Sequence, residues 1–545
     1  MSKYEIPRTQ RAVELIGPDQ LRLNATASVH APGPHQVLCR VEAVGLCFSD
    51  LKLVKQFAAH PRKSEVISGV DPEVLARLPS YVPGERPTVP GHEAVVRVVA
   101  VGEGMSSIRP GERYLVQADY RWLPMAGANA AFGYNFTGAL QEYVLFDERV
   151  ITAPDGESAL IPVSDGLPAS AVALVEPWGC VEASYAAAER RRLKAGGKAL
   201  VVAEGGHVPE SLRRLLGEAA PESVTQAEAA ELGGLGEAAY DDILYFGDRP
   251  ETIESLFPAL APRGLVVIML CGRRLPRPVT VPVGRVHYGG VRIAGTTGDS
   301  PLAALARLPR SVEIPAGARV NVVGAGGPMG VMHVIRALCS GVPGIEVHAG
   351  DTDAARLASL SRLAAPLAEK NSVLFQAYTP TRAPAPGPFD YVVLLVPAPS
   401  LVAEAIAQAA PGAIISLFAG IPADVSAALD VTAYLEKGCY LTGTSGSAIK
   451  DMKTVLRKLE TGMLDTNLSV AAVGGLEGAM EGIRAIERRE ILGKIVLYPT
   501  CRGLPFLRLS ELCEQLPEVG AQLCDGAWTP EAEQALLETY EGGRP

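Results

Sequence analysis

The chain has 545 residues, of which 48% are apolar and 20% charged, and its formal net charge at neutral pH is −10. This length predicts several domains, and the negative charge disfavours nucleic acid and anionic membranes as partners. The longest apolar runs have the length of a strand, and the polar start lacks the apolar segment of a secretory signal. Nine cysteines without a C-x-x-C pair favour neither a disulfide framework nor a cysteine-rich zinc site, so we expect a soluble cytoplasmic protein.

Side chains able to bind Zn²⁺ occur in the first third of the chain. VEAVGLCFSDLKL (41–53) predicts a strand that runs into a loop with a thiol, and TVPGHEAVVRVV (88–99) places an imidazole and a carboxylate just before a strand. A further carboxylate heads the predicted helix in ALVEPWGCVEASYAAAE (173–189). Three protein ligands would leave an open position for water or substrate, as catalytic zinc requires. The candidate metal ligands are Cys47, His92, Glu93 and Glu176.

The middle of the chain contains an internal repeat at a distance of 148 residues. VRIAGTTGDS (291–300) and CYLTGTSGSA (439–448) both run from an apolar segment into a Gly-Thr turn, and DDILYFGD (241–248) corresponds to FDYVVLLVPAP (389–399). The matching glycines are Gly264, Gly290, Gly295 and Gly298 in the first copy and Gly412, Gly438, Gly443 and Gly446 in the second. Buried strands alternate with helices in each copy, which predicts a doubly wound parallel sheet that is present twice.

The second copy opens with a glycine-rich turn between a predicted strand and a helix, in RVNVVGAGGPMGVMHVIRALCSG (319–341). Such glycines let backbone N–H groups approach a pyrophosphate at the helix N-terminus. Two registers are possible, one starting at Gly324 and a favoured one starting at Ala325, with alanine in place of the first glycine. Asp351 ends the next strand 24 residues after Gly327, where a carboxylate would bind the adenosine ribose and repel a 2′-phosphate, so NAD is favoured over NADP. The predicted cofactor site comprises Gly324, Ala325, Gly326, Gly327, Pro328, Met329, Gly330, Asp351 and Arg356.

The first copy opens differently, with KALVVAEGGHVPESLRRLL (198–216). Glu204 stands where a phosphate would have to approach, and two negative charges repel each other there. The interval between this turn and the next matching strand is 36 residues, against 63 in the second copy, so about 27 residues are missing. That length corresponds to a helix and a strand with its acidic end. We therefore predict a degenerate dinucleotide fold that binds no nucleotide.

Together these motifs resemble the zinc-dependent medium-chain dehydrogenase/reductase family. The resemblance rests on GLCFSD, on the P-GHE, VG and GER block, on VEP before a helix, and on the ending DMKTVLRKLETGMLD…ILGKIVLYP. It covers about residues 10–180 and 316–500. Within the family the chain is most similar to the polyol branch, which includes sorbitol dehydrogenase, threonine 3-dehydrogenase and L-sorbose-1-phosphate reductase. This implies a GroES-like catalytic domain made from both chain ends, with a Rossmann domain between them.

The resemblance also implies roles for the candidate metal ligands. Cys47 and His92 would bind zinc directly. Glu176 occupies the position that holds Glu in the polyol branch and Cys in other alcohol dehydrogenases. Glu93 would be a nearby carboxylate that binds the metal or exchanges with water.

Two further roles follow from the same resemblance. Ser49 would hydrogen-bond the substrate oxygen and relay its proton, and Asp50 would orient His92 and fix its tautomer. Zinc would act as a Lewis acid on the alcohol or carbonyl oxygen while NAD(H) accepts or delivers hydride. The predicted catalytic residues are Ser49, Asp50 and Glu93. The expected activity is zinc-dependent hydride transfer between NAD(H) and a secondary alcohol or ketone of a polyol, sugar or sugar phosphate.

Three features depart from the family pattern. The region 116–140, where a four-cysteine structural zinc lobe would lie, contains no cysteine, so we predict one catalytic zinc and no structural site. The insertion 55–87 separates Cys47 from His92 and forms either a lid or specificity segment or a plain surface elaboration. The third departure is the degenerate copy of the sheet.

Other residues could also contribute to binding. Cys180, four residues after Glu176, could rival it as a ligand, and we interpret it as a buried thiol. Several basic residues could bind a substrate phosphate, and we interpret them as solvated surface charge. They are His60, Arg62, Arg273, Arg274 and Arg277.

The expected fold class is α/β, with a GroES-like catalytic domain and two tandem doubly wound Rossmann-type units, the first degenerate. The predicted domains are a zinc catalytic domain (1–185), the degenerate repeat (193–312), the NAD-binding Rossmann domain (316–464), and a return to the catalytic domain with a helical tail (465–545). The predicted partners are a small-molecule substrate and further copies of the chain, as a dimer or tetramer. Two other functions stay open, a non-catalytic or regulatory dinucleotide-binding protein and a zinc-free reductase.

Overall fold

The computed structural model describes residues 6–541, except residues 106, 188, 206, 207, 384 and 445. It divides into two units, of which the first comprises Met1–Glu182 and Gly446–Pro545 and the second comprises Ala183–Ser445. Both ends of the chain therefore build the first unit. Among the helices that are described, none is long and apolar enough to cross a membrane.

The amino-terminal part of the first unit is rich in strands. Its strands are β1 (Thr9–Gly17), β2 (Gln20–Ser28), β3 (Gln36–Leu46), β4 (Glu93–Val101), β5 (Arg113–Val116), β6 (Asp119–Met125), β7 (Ala128–Ala131), β8 (Tyr143–Asp147) and β9 (Leu160–Pro162). Its helices are α1 (Phe48–Gln56), α2 (Pro72–Arg77), α3 (Glu148–Ile151), α4 (Ala169–Ala173) and α5 (Val175–Ala186).

Strands and helices alternate in the second unit. Its strands are β10 (Lys198–Ala203), β11 (Ser223–Ala227), β12 (Tyr240–Phe246), β13 (Leu260–Met269), β14 (Val279–Val281), β15 (Arg292–Thr296), β16 (Arg319–Val323), β17 (Glu346–Gly350), β18 (Leu374–Tyr378), β19 (Phe389–Leu394), β20 (Ala409–Leu417), β21 (Ala427–Leu429) and β22 (Tyr440–Thr442). Its helices are α6 (Glu210–Ala219), α7 (Pro250–Leu256), α8 (Val283–His287), α9 (Pro301–Ala306), α10 (Pro328–Leu338), α11 (Ala354–Asn371), α12 (Ser400–Gln408) and α13 (Val431–Lys437).

The carboxyl-terminal part of the chain returns to the first unit. Its strands are β23 (Val470–Gly474), β24 (Lys494–Leu497) and β25 (Leu507–Arg508). Its helices are α14 (Ile449–Glu460), α15 (Ala479–Glu487), α16 (Leu509–Gln515), α17 (Pro517–Gly520) and α18 (Pro530–Glu541).

A mixed sheet in the first unit brings the candidate metal ligands together. Its strand order is β25-β23-β24-β3-β4-β5-β9, and β8 also pairs with β3. β3 and β4 are rich in valine and alanine and almost continuously buried, which suits strands covered on both faces. They pair antiparallel with Gly45 opposite Glu93. The loop that follows β3 therefore lies beside the loop that precedes β4.

The second unit contains two parallel sheets. Their strand orders are β11-β10-β12-β13-β15 and β18-β17-β16-β19-β20-β22. Counted along the chain, the strands of the second sheet follow the order 3-2-1-4-5-6, which is typical of dinucleotide-binding sheets. The short strands β14 and β21 form a separate antiparallel pair.

The structure corrects one detail of the shortened first copy. β11 pairs with β10 as β17 pairs with β16, and Glu228 directly follows β11 as Asp351 follows β17. Between Ala227 and Tyr240 the structure places a 3₁₀ helix (Ala229–Gly234), where the second copy has α11 and β18. The prediction that the strand with the acidic end is missing was wrong. The spacing gives only the number of missing residues, whereas the pairing shows that an outer strand is lost.

Candidate metal centre and cofactor turn

The turn from β3 into α1 positions the candidate thiol. Cys47 is the residue before α1, and its backbone N–H donates to Oδ2 of Asp50 at 2.9 Å. Oδ1 of Asp50 accepts from the backbone N–H of Gly91 at 3.1 Å. Asp50 is fully buried, so these charge-assisted hydrogen bonds tie the loop after β3 to the loop before β4.

Asp50 also orients His92. Nδ1 of His92 donates to Oδ1 of Asp50 at 3.1 Å, since a carboxylate can only accept. The hydroxyl of Ser49 lies 3.2 Å from Nε2, the other ring nitrogen. Burial by itself lowers the pKa of His92, but the Asp50 carboxylate raises it well above its ordinary value, so metal binding at this ring would release a proton. The structure thus places Asp50 and Ser49 at opposite nitrogens of His92.

Cys47, His92 and Glu93 form a close group of metal-ligating side chains. One ligand atom from each of the three lies within 4.8 Å of the others. Thiolate, imidazole and carboxylate are the donors that Zn²⁺ takes in proteins. Oε2 of Glu93 is buried without a hydrogen-bond partner, which is costly for a carboxylate oxygen unless a cation or a water binds it. The donor set and the unpartnered oxygen fit a zinc ion.

Lys494, the first residue of β24, forms an ion pair with Glu93. Its Nζ donates to Oε1 of Glu93 at 2.6 Å, and both side chains are buried. Burial lowers the pKa of Lys494, but the Glu93 carboxylate raises it above its ordinary value. Gly45 makes room for the carboxylate, because a Cβ at that position would lie 2.1 Å from Oε2 of Glu93. The sequence interpretation missed Lys494, although a lysine that begins an apolar run (KIVLY) was an available signal.

Glu176 stays outside this close group. Among the described residues, the group within 4.8 Å comprises Cys47, His92 and Glu93. Burial raises the pKa of Glu176 to about 7, against the lowering effect of His92. Its role as a metal ligand stays a prediction. Burial and the neighbouring Glu176 also raise the pKa of the Cys180 thiol, which disfavours the thiolate that a metal needs.

The insertion 55–87 packs into the hydrophobic core of the first unit. Phe57, Leu75 and Leu78 are buried in that core. The buried Lys63 donates to the backbone carbonyls of Val82 and Arg86 and so ties the first part of the segment to its end. The insertion is therefore an integral part of the first unit.

Two residues of the insertion reach the aromatic ring that flanks the metal group. The Tyr134 ring lies 5.6 Å from that of His92 and 5.1 Å from that of His60, and the Arg62 guanidinium stands 5.4 Å from its centroid. Burial and the nearby Arg62 lower the pKa of His60 to about 4. The Arg62 side chain is 32% exposed and also lies over this ring, so Arg62 is partly solvated and partly packed. The other three basic residues, Arg273, Arg274 and Arg277, form exposed ion pairs.

In the second unit the glycine-rich turn joins β16 to α10. Gly324 has a φ of +85°, a left-handed conformation that favours glycine. A Cβ on Gly330 would lie 2.4 Å from the carbonyl oxygen of Gly324, so the helix packs on the turn only because residue 330 is glycine. Ala325 is buried in the turn, Gly327 precedes α10, and Pro328 and Met329 open the helix. This packing is what the third glycine of the fingerprint provides.

Asp351 lies against the same turn. Its Oδ2 accepts from the backbone N–H of Gly326 at 2.9 Å, and its Oδ1 accepts from that of Asp353 at 3.0 Å. Arg356 packs beside them, because a Cβ on Gly326 would lie 2.6 Å from the Cβ of Arg356. The structure therefore brings the acid at the end of β17 and the glycine-rich turn together, as a dinucleotide site requires.

Part of the first unit is similar to known proteins. Residues 33–155 match the family model "Alcohol dehydrogenase GroES-like domain". Alcohol dehydrogenase from Moraxella sp. (strain TAE123) is 27% identical over 134 residues, which are 23% of this chain and 33% of that protein. The match thus spans about a third of that curated relative.

Solved structures extend the likeness to most of the chain. The 2R,3R-butanediol dehydrogenase from Bacillus subtilis aligns over 90% of this chain and 100% of that chain, with 16% identity and a TM-score of 0.51. A cobalt and zinc bound thermostable alcohol dehydrogenase from Pyrobaculum aerophilum aligns over 90% and 99%, with 16% identity and a TM-score of 0.49. At this identity, the likeness to the butanediol dehydrogenase shows a shared mixed α/β fold alone.

Proposed function

We propose that the chain is a zinc-dependent oxidoreductase that transfers a hydride between NAD(H) and a secondary alcohol or ketone of a polyol, sugar or sugar phosphate. The observation that carries this proposal is the group of Cys47, His92 and Glu93 within 4.8 Å. The match of residues 33–155 to an alcohol dehydrogenase domain supports an oxidoreductase acting on alcohols.

The first unit would supply the chemistry at the substrate oxygen. Cys47 and His92 would hold one catalytic zinc, with Glu93 or Glu176 as a further ligand. A zinc ion there supplies a Lewis acid for the alcohol or carbonyl oxygen. The Ser49 hydroxyl would bind that oxygen and carry its proton, while the buried carboxylate at position 50 keeps the imidazole in place.

The second unit would supply the hydride carrier. The turn between β16 and α10 presents backbone N–H groups at a helix N-terminus, where a pyrophosphate binds. The carboxylate of Asp351 at this turn would accept hydrogen bonds from the adenosine ribose and repel a 2′-phosphate. NAD is therefore proposed as the cofactor. The five-stranded sheet is proposed to be a degenerate unit of the same kind.

The insertion is proposed to contribute to substrate selection. Arg62 stands over Tyr134 near the metal group, and the described contacts of its guanidinium are with that ring and with Asp119, 3.4 Å away. Guanidinium has five N–H donors, so donors are available for a phosphate of the substrate. A phosphorylated sugar or polyol would thus be favoured over its unphosphorylated form.

We expect Arg62→Gln to raise the KM for a sugar phosphate about tenfold or more, because a charge-assisted hydrogen bond contributes about 1.5–3 kcal/mol. The KM for the unphosphorylated polyol should change less than about twofold. Steady-state kinetics with both substrates measure the difference. Arg77→Gln is the matched control, since Arg77 lies in the same insertion with an 81% exposed side chain. Equal changes for both substrates in Arg62→Gln would contradict a phosphate contact.

The function itself is tested by metal content and turnover of the unmodified chain. Protein purified without chelator or a histidine tag should contain about one zinc per chain. A screen of polyols with NAD⁺, and of ketoses and their phosphates with NADH, should then show turnover. Nucleotide binding without zinc and without turnover would favour a regulatory dinucleotide-binding protein. Turnover without zinc would favour a zinc-free reductase.

Location and assembly stay proposals as well. We propose a cytoplasmic protein, and the free thiols of all its cysteines suit a reducing compartment. The predicted homo-oligomer, a dimer or tetramer, stays a prediction.

A further inference from the structure

The two copies of the internal repeat contact each other through a pair of short strands. β14 and β21 pair antiparallel, with Val279 opposite Leu429, Thr280 opposite Ala428 and Val281 opposite Ala427. Equivalent residues of the two copies are 148 positions apart, so β14 and β21 are equivalent strands. Val279 therefore pairs with the counterpart of Val281, Val281 pairs with the counterpart of Val279, and Thr280 pairs with its own counterpart. This exchange is the signature of an isologous interface, with the local two-fold axis at Thr280 and Ala428.

The Gly-Thr turns show the same exchange. A Cβ on Gly295 would lie 2.8 Å from the side chain of Leu435, and a Cβ on Gly443 would lie 2.9 Å from the Cα of His287. Gly295 and Gly443 are equivalent positions, and so are His287 and Leu435. Each glycine thus leaves room for the equivalent helix of the opposite copy: Gly295 for α13, and Gly443 for α8. Each glycine also lies against a backbone carbonyl of its own copy, that of Ile268 in one case and that of Leu417 in the other, so the contact between the copies is one of two reasons for a glycine there.

Apolar packing makes this contact continuous with the core. One hydrophobic cluster contains buried side chains of both copies. It includes Val283 and Val286 on α8 of the first copy and Val431, the counterpart of Val283, on α13 of the second copy. The buried hydroxyl of Tyr434 donates to the carbonyl of Ile293 at 2.8 Å and accepts from the backbone N–H of Leu441 at 3.1 Å, so it bridges the edge strands β15 and β22. Such a contact resembles an obligate subunit interface, which is a domain core shared by two partners.

The two copies differ at the turn that follows their first strand. The first residue after β16 is Gly324, whereas the first residue after β10 is Glu204. Oε1 of Glu204 accepts from the hydroxyls of Tyr245 at 2.8 Å and Thr252 at 2.9 Å, and its side chain is 8% exposed. The carboxylate therefore fills the carboxyl end of the first sheet. The first copy thus keeps the surface that contacts the second copy, while a carboxylate stands where the turn after its first strand begins.

We propose that the first copy serves the second as a built-in partner subunit. The two copies dock as the subunits of an isologous homodimer would, and this surface is closed to a second molecule of the chain. Any homo-oligomer then forms through another surface. The proposal concerns the docking of the two sheets and is independent of the reaction that the first unit catalyses.

Cysteine cross-linking tests this proposal in the full chain. Thr280 and Ala428 pair directly and both side chains are exposed, so Thr280→Cys with Ala428→Cys should fold and form a disulfide on mild oxidation, since paired β-strand positions lie within disulfide reach. Non-reducing electrophoresis and intact mass should show a cross-linked chain of 57.3 kDa. A covalent dimer of twice that mass, or no cross-link at all, would overturn the proposal.

The single variant Ala428→Cys gives the sharper comparison. In an isologous dimer of two chains through this surface, the residue at the two-fold axis meets itself. Ala428→Cys alone would then form a covalent dimer, and we expect none beyond the level of the unmodified protein, whose Cys513 and Cys524 are exposed. A dimer formed efficiently by Ala428→Cys alone would show that the surface is open to a second copy.

Discussion

Replacing Cys47 by alanine is expected to remove the proposed zinc and to lower kcat/KM of the proposed NAD-linked turnover on the order of a thousandfold. The thiol belongs to the only such close group in the described part of the chain, with His92 and Glu93. A Lewis acid contributes several kcal/mol at the reacting oxygen, and each 1.36 kcal/mol corresponds to a factor of ten. Elemental analysis of the purified protein and steady-state kinetics measure the two effects.

Cys180→Ala is the matched control for this variant. Cys180 lies near the same site, and burial and Glu176 raise the pKa of its thiol, so its loss should leave the zinc content unchanged. Melting temperatures of both variants separate loss of metal from loss of fold. Retention of zinc by Cys47→Ala, together with its loss in Cys180→Ala, would move the metal site toward Glu176.

Replacing Asp351 by asparagine is expected to erode a preference for NAD over NADP by about ten- to a hundredfold. The Gly326 N–H donates to Oδ2 of Asp351 at 2.9 Å. Asparagine keeps an oxygen that can accept this hydrogen bond, but it removes the negative charge. The variant would therefore lose the charged hydrogen bond that we propose to the ribose, worth about 1.5–3 kcal/mol, and the proposed repulsion of a 2′-phosphate. The ratio of kcat/KM for the two cofactors measures the change.

Asp353→Asn provides the comparison for Asp351→Asn. Asp353 lies two residues further on and caps α11, where its carboxylate accepts from the backbone N–H groups of Ala355 and Arg356. Its substitution should leave the cofactor ratio within about twofold, because asparagine is as good a helix cap as aspartate. Equal or better turnover with NADP in the unmodified protein would contradict the assignment of Asp351.

Short segments of the sequence predicted the local parts of both sites. A thiol between a strand and a helix, a His-Glu pair before a strand and a glycine-rich turn are all fixed by a few neighbouring residues, because backbone conformation there depends on local residue type. The structure brings Cys47, His92 and Glu93 together and sets Asp351 against the turn. In the first copy, Glu204 predicted a turn that accepts no phosphate, and the structure shows its carboxylate accepting hydrogen bonds from Tyr245 and Thr252.

Long-range partners were beyond such reasoning. Lys494 is 401 residues from Glu93 along the chain, and only the pairing of β24 with β3, which in turn pairs with β4, puts their side chains in contact. The placement of Arg62 over Tyr134 likewise depends on how the insertion packs into the core. A charged residue predicts solvent exposure by default, and the burial of Lys494 and the partial burial of Arg62 are properties of the packed structure.

The sequence by itself determined which residue types are available for the two sites: a thiol, an imidazole and carboxylates in the first third of the chain, and a dinucleotide-type turn further on. It also determined the internal repeat at a distance of 148 residues. These features can be predicted from periodicity and spacing, because each motif is formed by neighbouring residues and the repeat recurs at a constant distance. Only the tertiary structure decided that Glu176 stays outside the close group, that the first sheet lacks its outer strand, and that the two copies dock by an exchange of equivalent residues. These three features depend on which segments, far apart in the sequence, pack against each other. Two surfaces can be complementary only when the segments that form them have folded.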